Sequence, residues 1–305
     1  MRTSVIILNY KTFEKTIDCV NSLSNDKELI DYIIIIDNGS GNNSLKKIQT
    51  FLSSTNREFE ILNSFQEIPK KRYILYQNPQ NLGYAKGNNV GIKIALNAKS
   101  DYILIINNDI KIYPNAILNM LNFIQKNTQA GCVGPVIKEG ESYDYNFARR
   151  KMRWYDYFLL SGVGKKIIPI KNLIKHHYFA YTNLPSTNFE VDIISGSCML
   201  FPAWVLKRTN GFDEHTFLFY EEAIMSKRLE DMNLKTYVIV NSFVEHEHAG
   251  SIKKIQPSII LKHSLNSQLY YLNTIRNYNI LIAKFIMIGQ YLTYYYSRLK
   301  ERIIR

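Results

Sequence analysis

Cysteine is scarce in this chain: Cys19, Cys132 and Cys198 are its only three in 305 residues. They lie far apart and are odd in number, which argues against a disulfide framework and for a reduced compartment. No run reaches the roughly 20 uninterrupted apolar residues that a membrane-spanning helix needs. Met1 is soon followed by the β-type run SVIILN, without a basic n-region, a long apolar h-region or a small-residue cleavage site. A secretory leader is therefore not expected. Low-complexity tracts are missing, and the apolar share of 46% suffices for a full core. After the first β-type run comes NYKTFEK, where a nicotinamide or flavin oxidoreductase on a similar sheet would carry G-x-G-x-x-G.

Acidic side chains are also in short supply, 26 against 38 Lys and Arg, and the formal net charge is +12. The excess gathers at Lys70, Lys71 and Arg72, between Arg149 and Lys175, and in the C-terminal third. No nucleic-acid motif accompanies it. An anionic membrane surface suits it better than nucleic acid.

Through the first half, short β-branched runs alternate with helical patterns. Strands are expected at Ser4–Leu8, Tyr32–Ile36, Tyr73–Tyr76 and Tyr102–Ile106, and helices at Phe13–Leu23, Ser44–Leu52, Ala85–Asn97 and Asn115–Gln125. Apolar runs without polar alternation suit parallel strands covered on both faces. The expected fold is α/β: a doubly wound, mostly parallel sheet with helices on both faces. The rhythm breaks over residues 139–190, which read as a variable insertion rich in Tyr, Lys and Arg. VDIISGSCMLF (Val191–Phe201) reads as one strand with a central Gly. A helix follows from near Pro202, another at Glu221–Asp231, then a strand at Thr236–Val240. Residues 1–256 form one domain in this reading, and 257–305 a C-terminal helical extension. Within the extension Tyr278–Tyr296 is mostly apolar, flanked by Arg276, Arg298, Lys300, Arg302 and Arg305. It suits either a helix lying in a membrane interface or an ordinary amphipathic helix packed on the domain.

Five segments can carry chemistry. DYILIINND ends a buried strand in Asn107, Asn108 and Asp109, at the sheet edge where ligands of open α/β sheets bind. A carboxylate there can hold a divalent cation, or merely make a turn. IIIIDNGSGNNS places Asp37 at another strand end, to meet a base or ribose or simply to organise the turn. NPQNLGYAKGNNVG (residues 78–91) is a Gly- and Asn-rich helix entry whose exposed N–H groups attract anions, although it lacks the Gly-Lys-Ser/Thr ending of a P-loop. GFDEHTFLFYEEAIMSKRL sets Glu221 and Glu222 after an aromatic run, where lost hydration raises a carboxyl toward a general base's working range. The plainer reading makes them acidic residues favourable at a helix N-terminus. HEHAGS carries His246 and His248 on one face of a continuing strand, suited to an Mn²⁺-like ion shared with carboxylate. A zinc site is not expected, since no matching Cys or His pair lies nearby.

In order, SVIILNYK, IIIIDNGSGNNS, NLGYAKGNNVGI, ILIINNDI, ISGSCMLF, GFDEHTFLFYEE and HEHAGS resemble the family 2 glycosyltransferases of GT-A fold. The likeness spans about residues 3–251, and is strongest to the branch holding rhamnosyl- and other transferases of bacterial cell-surface polysaccharides. It implies a nucleotide-sugar donor pocket lined by Leu8, Asn9 and Tyr10, with Asp37, Asn38 and Gly39 at the nucleotide. Gly83, Lys86 and Asn88 would shape its wall. The family's Asp-x-Asp stands here as Asn107-Asn108-Asp109, leaving Asp109 as the charged ligand for Mg²⁺ or Mn²⁺, with His246 beside it. The family's Glu-Asp pair stands as Glu221-Glu222, making Glu222 the general base, and an acidic position two residues on is Ile224. The implied reaction is inverting transfer from dTDP-rhamnose or a UDP-hexose to a saccharide, lipid-linked or free, at the cytoplasmic face of the cell membrane. A homo-dimer is compatible with it. The rival from another class is a catalytically inactive nucleotide- or membrane-binding partner subunit of a polysaccharide assembly complex, kept open by Asn107 and Glu222.

Overall fold

Stretches of β-branched residues without polar alternation cannot leave either face in water, and here they do not. In the computed structural model, which describes residues 1–153, 155–157, 184–247 and 256–303, Val5–Ile7, Ile33–Ile36 and Ile103–Ile106 are all buried. They belong to β1 (Thr3–Asn9), β2 (Tyr32–Asp37) and β5 (Tyr102–Asn107). With β3 (Phe59–Ile61) and β4 (Tyr73–Gln77) these strands pair in parallel. Connecting helices α1 (Phe13–Ser22), α2 (Ser44–Ser54), α3 (Gly83–Asn97) and α4 (Ala116–Lys126) fall within two residues of the expected spans at every end.

The second half of the sheet departs from the sequence reading. β6 (Ile110–Ile112), β7 (Ala130–Glu139), β8 (Ser142–Tyr143), β10 (Phe189–Val191), β12 (Cys198–Pro202) and β13 (Lys235–His246) complete it, and β9 (Ala148–Arg149) and β11 (Ile193–Ile194) lie beside it. The sheet order is β10-β13-β7-β12-β5-β1-β2-β4-β3, with β9 and β11 forming a separate pair. β7 hides in the sequence because Gly131, Gly134 and Pro135 read as strand breakers. The neighbouring strand absorbs the proline: register jumps from Pro135↔Ile239 to Val136↔Phe243, a bulge in β13. The single strand expected over Val191–Phe201 is instead three short pieces, β10, β11 and β12, interrupted at residues 192 and 195–197. That interruption lets the chain leave the small sheet and enter the large one.

β12 runs antiparallel to both β5 and β7, and β13 runs parallel to β7. The carboxyl ends of β1, β2, β5, β7 and β13 therefore meet the amino end of β12 along one edge. α5 (Ala203–Thr209) and α6 (Glu221–Asp231) follow β12.

Beyond Pro257 the chain is helical as expected, though in pieces: α7 (Pro257–Tyr270), a π-turn at Tyr271–Ile275, α8 (Ile280–Ile286) and α9 (Ile288–Ile303). The helix read across Tyr278–Tyr296 breaks at Met287, where φ −90° and ψ 1° end α8 and the side chain is buried. These helices are packed on the domain: Leu265, Leu272, Ala283, Ile286 and Met287 share a buried cluster with Ile193, Ala223 and Ile224. Asp213 accepts hydrogen bonds from Arg228 Nη2 at 2.7 Å and Tyr270 Oη at 3.1 Å, tying α6 and α7 to the loop before α6. All three cysteines are buried free thiols, and burial pushes each thiol's pKa up.

Candidate functional site

One sheet edge collects most of the expected residues, because parallel β1, β2 and β5 end in register: Asn9 lies opposite Asp37, and Leu8 opposite Asn107. Asp37 is fully buried, and its carboxylate is already engaged. It accepts from Asn9 Nδ2 at 2.7 Å, Gln77 Nε2 at 2.8 Å and the Ser40 hydroxyl. Asn38 donates to Asn81 Oδ1 and Gly83 O at 3.0 Å each and accepts from Asn78 Nδ2, which clamps β2's end to the entry of α3. Asn108 donates to Thr12 Oγ1 at 2.8 Å and Thr16 Oγ1 at 3.0 Å, turned into α1 and away from the edge. These amides form the rigid frame of the edge.

Two glycines of the frame are required by geometry. Gly39 has φ +64°, and a Cβ there would lie 2.2 Å from Gln80 C. Gly83 has φ +81°, and a Cβ would meet Phe217 O at 2.4 Å. Only glycine tolerates both. Gly83's close approach lets Tyr84 N donate to Phe217 O at 2.9 Å, drawing the Gly211–Tyr220 loop against α3. In the same helix Asn88 is buried and donates to Tyr84 O at 3.0 Å, whereas Lys86 is exposed. Leu8 and Tyr10 are half-buried at β1's end, with Lys11 Nζ 5.1 Å from the Tyr10 ring centroid.

Asp109 and His246, 137 positions apart in the chain, meet because β6 pairs antiparallel with the end of β13: His246 is opposite Ile110, and Glu247 N donates to Asp109 O at 3.0 Å. His246 Nε2 lies 3.2 Å from Asp109 Oδ1, their side chains 13% and 14% exposed. Asp109 Oδ1 is buried without a hydrogen bond among the described residues. A buried carboxylate oxygen beside an imidazole nitrogen fits a divalent cation of the Mg²⁺ or Mn²⁺ class. Among the described residues no third His, Cys, Asp or Glu completes a cage, so further ligands would come from a bound substrate and water. His248 lies outside the described residues.

Across the β12 entry from this pair stand the two glutamates. Asn107 N donates to Ser197 O at 2.9 Å, and a Cβ on Gly196 would lie 3.8 Å from Glu222 Oε2 and 3.6 Å from Tyr84 Oη. Tyr84 Oη donates to Gly196 O at 2.5 Å. Segment Gly196–Ser197 thus joins the Asn107–Asp109 edge to Glu222. Arg149, from the end of β9, is ion-paired with Glu222 through Nη2 and Oε1. Phe219 and Tyr220, immediately before the glutamates, both adopt left-handed φ of 72° and 71°. Such conformations cost of order 1–3 kcal/mol each in bulky residues and cluster where function over-determines the backbone.

Glu221 differs from its neighbour. It is buried at the first turn of α6, and burial, together with the charge of Glu222, pushes its pKa up to about 8. Near neutrality it carries a proton, which suits a structural acid better than a base. With the folded pKa above the unfolded one, the native state binds the extra proton between roughly pH 4.5 and 8. Stability must then fall as pH rises through that window, by up to about 1.4 kcal/mol per pH unit. Glu221→Gln should flatten this slope in denaturant titrations at pH 5, 7 and 8.5; an unchanged slope would place the titration elsewhere.

Arg149 and Tyr84 had no signal of their own in the sequence. Arg149 sits in the aperiodic 139–190 stretch, and Tyr84 was hidden inside the Gly- and Asn-rich helix entry. Only the Gly in ISGS could have flagged the close approach.

Comparison with known proteins bears on the fold and the family. A rhamnosyltransferase of Mycobacterium tuberculosis (strain CDC 1551 / Oshkosh), N-acetylglucosaminyl-diphospho-decaprenol L-rhamnosyltransferase, is 23% identical over 172 residues, 56% of this chain and 54% of that protein. The chain therefore spans about half the length of that curated relative. The crystal structure of GalNAc-T7 with UDP, GalNAc and Mn²⁺ superposes with a TM-score of 0.63 at 14% identity, covering 95% of this chain and 54% of the other. A mannosyltransferase from Pyrobaculum calidifontis in complex with GDP-Man and Mn²⁺ gives 0.56 at 11% identity, covering 98% and 73%. At such identities the structural likeness shows the fold alone, which is the GT-A arrangement. The model of glycosyl transferase family 2 matches residues 4–208, more than half of the sequence, and the chain belongs to that family.

Proposed function

We propose that this protein is an inverting glycosyltransferase that moves a sugar from a nucleoside-diphosphate donor to a saccharide hydroxyl. The observation that carries the reading is the single edge bordered by Asp109 with His246 and, across Gly196–Ser197, by Glu222. Glu222 takes the proton of the acceptor hydroxyl. The oxygen forms its bond to the anomeric carbon from the face opposite the leaving group, while the bond from that carbon to the phosphate oxygen breaks and its electron pair leaves with the nucleoside diphosphate. Asp109 and His246 are the residues that would hold Mg²⁺ or Mn²⁺, which when bound supplies charge stabilisation to a diphosphate. The frame of Asn9, Asp37, Asn38 and Gly39 holds the edge for the nucleotide, with Leu8, Tyr10 and Lys86 lining its approach.

The donor we favour is dTDP-rhamnose, with UDP-hexoses next, on the likeness to the mycobacterial rhamnosyltransferase. A panel of nucleotide sugars with Mn²⁺, read by thermal unfolding and by release of nucleoside diphosphate, tests this. A donor at 100 times its Kd should stabilise the fold by about 2.7 kcal/mol. If no nucleotide sugar raises the melting temperature or is turned over, the reading fails, and a partner-subunit role takes its place.

The acceptor we favour is lipid-linked, reached at the inner face of the cell membrane. No helix of the described residues is long and apolar enough to cross a bilayer. α8 and α9 nonetheless present Leu281 (73% exposed), Phe285 (62%), Leu292 and Tyr296 outward, interspersed with Lys284, Arg298 and Lys300. An exposed apolar and basic face suits an anionic bilayer interface. Replacing both Leu281 and Phe285 by Glu should weaken co-sedimentation with anionic vesicles by about tenfold or more, given about 1.5–3 kcal/mol per buried large apolar side chain. Wild-type protein that ignores such vesicles would refute the membrane assignment.

A further inference from the structure

Beyond Glu222 lies a cavity of about 220 Å³ between β9, β11 and the amino end of α6. That is below the roughly 300–1,000 Å³ of drug-sized ligand pockets and suits a single sugar ring. Phe219, Tyr220 and Tyr157 give it an aromatic wall, and the left-handed backbone at Phe219 and Tyr220 aims those two rings. Its charged lining among the described residues is Arg149, Arg150 and the one carboxylate of Glu222. The ion pair of Arg149 with Glu222 stands at this cavity's edge, both side chains partly accessible at 27% and 18%.

That pair conflicts with the base's task. Arg149 holds Oε1 of the carboxylate by a charge-assisted bond, which occupies that oxygen against an incoming acceptor hydroxyl. A neutral sugar entering the cavity offers Arg149 only hydroxyl acceptors, weaker partners than the carboxylate it would give up. An oxyanion offers an equal partner, since the guanidinium fork binds phosphate and carboxylate with equal geometric ease. We propose that Arg149 is an acceptor-specificity residue: it exchanges Glu222 for a phosphate or carboxylate carried by the acceptor sugar, and so releases the base only when such an acceptor is seated. The proposal rests on Glu222 being the base and adds the acceptor class and the residue that reads it.

Calorimetric titration of hexose 1-phosphates, the matching uronic acids and the methyl glycosides into three proteins tests it. Because Glu222 and the oxyanion compete for one guanidinium, Glu222→Gln should bind the charged sugars about tenfold more tightly than wild type, and Arg149→Gln about tenfold or more weakly. Arg149→Lys, which keeps the charge and loses the fork, should fall between, and it serves if Arg149→Gln does not fold. Methyl glycosides should not distinguish the proteins. Whichever of phosphate and carboxylate binds more tightly identifies the acceptor's anion. Charged sugars that bind Glu222→Gln no better than wild type, or methyl glycosides that bind as well as charged ones, overturn the exchange. Loss of transfer in Glu222→Gln is a separate readout: if transfer survives, the base assignment fails while the binding result stands on its own.

Discussion

Glu222→Gln should keep the fold and the donor but lose about 10²–10⁴-fold in transfer rate, the usual contribution of a positioned general base. The substitution is close to isosteric, and the amide oxygen can still accept from Arg149, so the β9–α6 contact survives. What disappears is the capacity to take up the acceptor's proton. Measured as turnover with saturating donor, the loss should appear in kcat, with donor-induced stabilisation unchanged. Near-wild-type turnover would remove Glu222 from the role and turn attention to the rest of the cavity lining. Glu221 is a weaker substitute, because at neutral pH it already holds a proton within the buried first turn.

The second large effect belongs to Asp109. Asp109→Asn keeps the shape of the β5–β6 corner, whose backbone bond to Glu247 does not involve the side chain. It removes the negative charge facing His246. Turnover should fall by about 10²–10³-fold, the range found when one preorganised electrostatic contact to developing charge is lost. The increment that Mn²⁺ adds to donor-induced thermal stabilisation should shrink with it. A variant that keeps the full Mn²⁺ response would show that the cation, if needed, is held elsewhere. His246→Ala should move both readouts in the same direction, since the imidazole borders the same carboxylate oxygen.

Several residues expected at the donor also hold the edge together. Asp37 ends its strand as anticipated, but its oxygens are satisfied by Asn9, Ser40 and Gln77. A carboxylate at a strand end reads the same in sequence whether it faces a ligand or a neighbouring amide. Asn38 and Asn108 were likewise legible as strand-end amides, while their use as internal clamps to α3 and α1 was not. The glycines were legible as close approaches; that Gly83 approaches Phe217, linking the entry of α3 to the loop before Glu221, needed the folded chain.

Local pattern decided the helix and strand alternation, the parallel core of β1, β2 and β5, and the arrival of Asp37 and Asn107–Asp109 at one edge. Burial of continuous β-branched runs leaves a parallel sheet few alternatives, and parallel strands deliver their carboxyl ends together. Tertiary packing alone decided the meeting of Asp109 with His246, the pairing of Arg149 with Glu222, the raised pKa of Glu221 and the seating of the C-terminal helices on α6. Each joins residues far apart in the chain, or depends on how much water a fold excludes. Such distances and dielectric environments exist only once the chain is closed, and no periodicity encodes them.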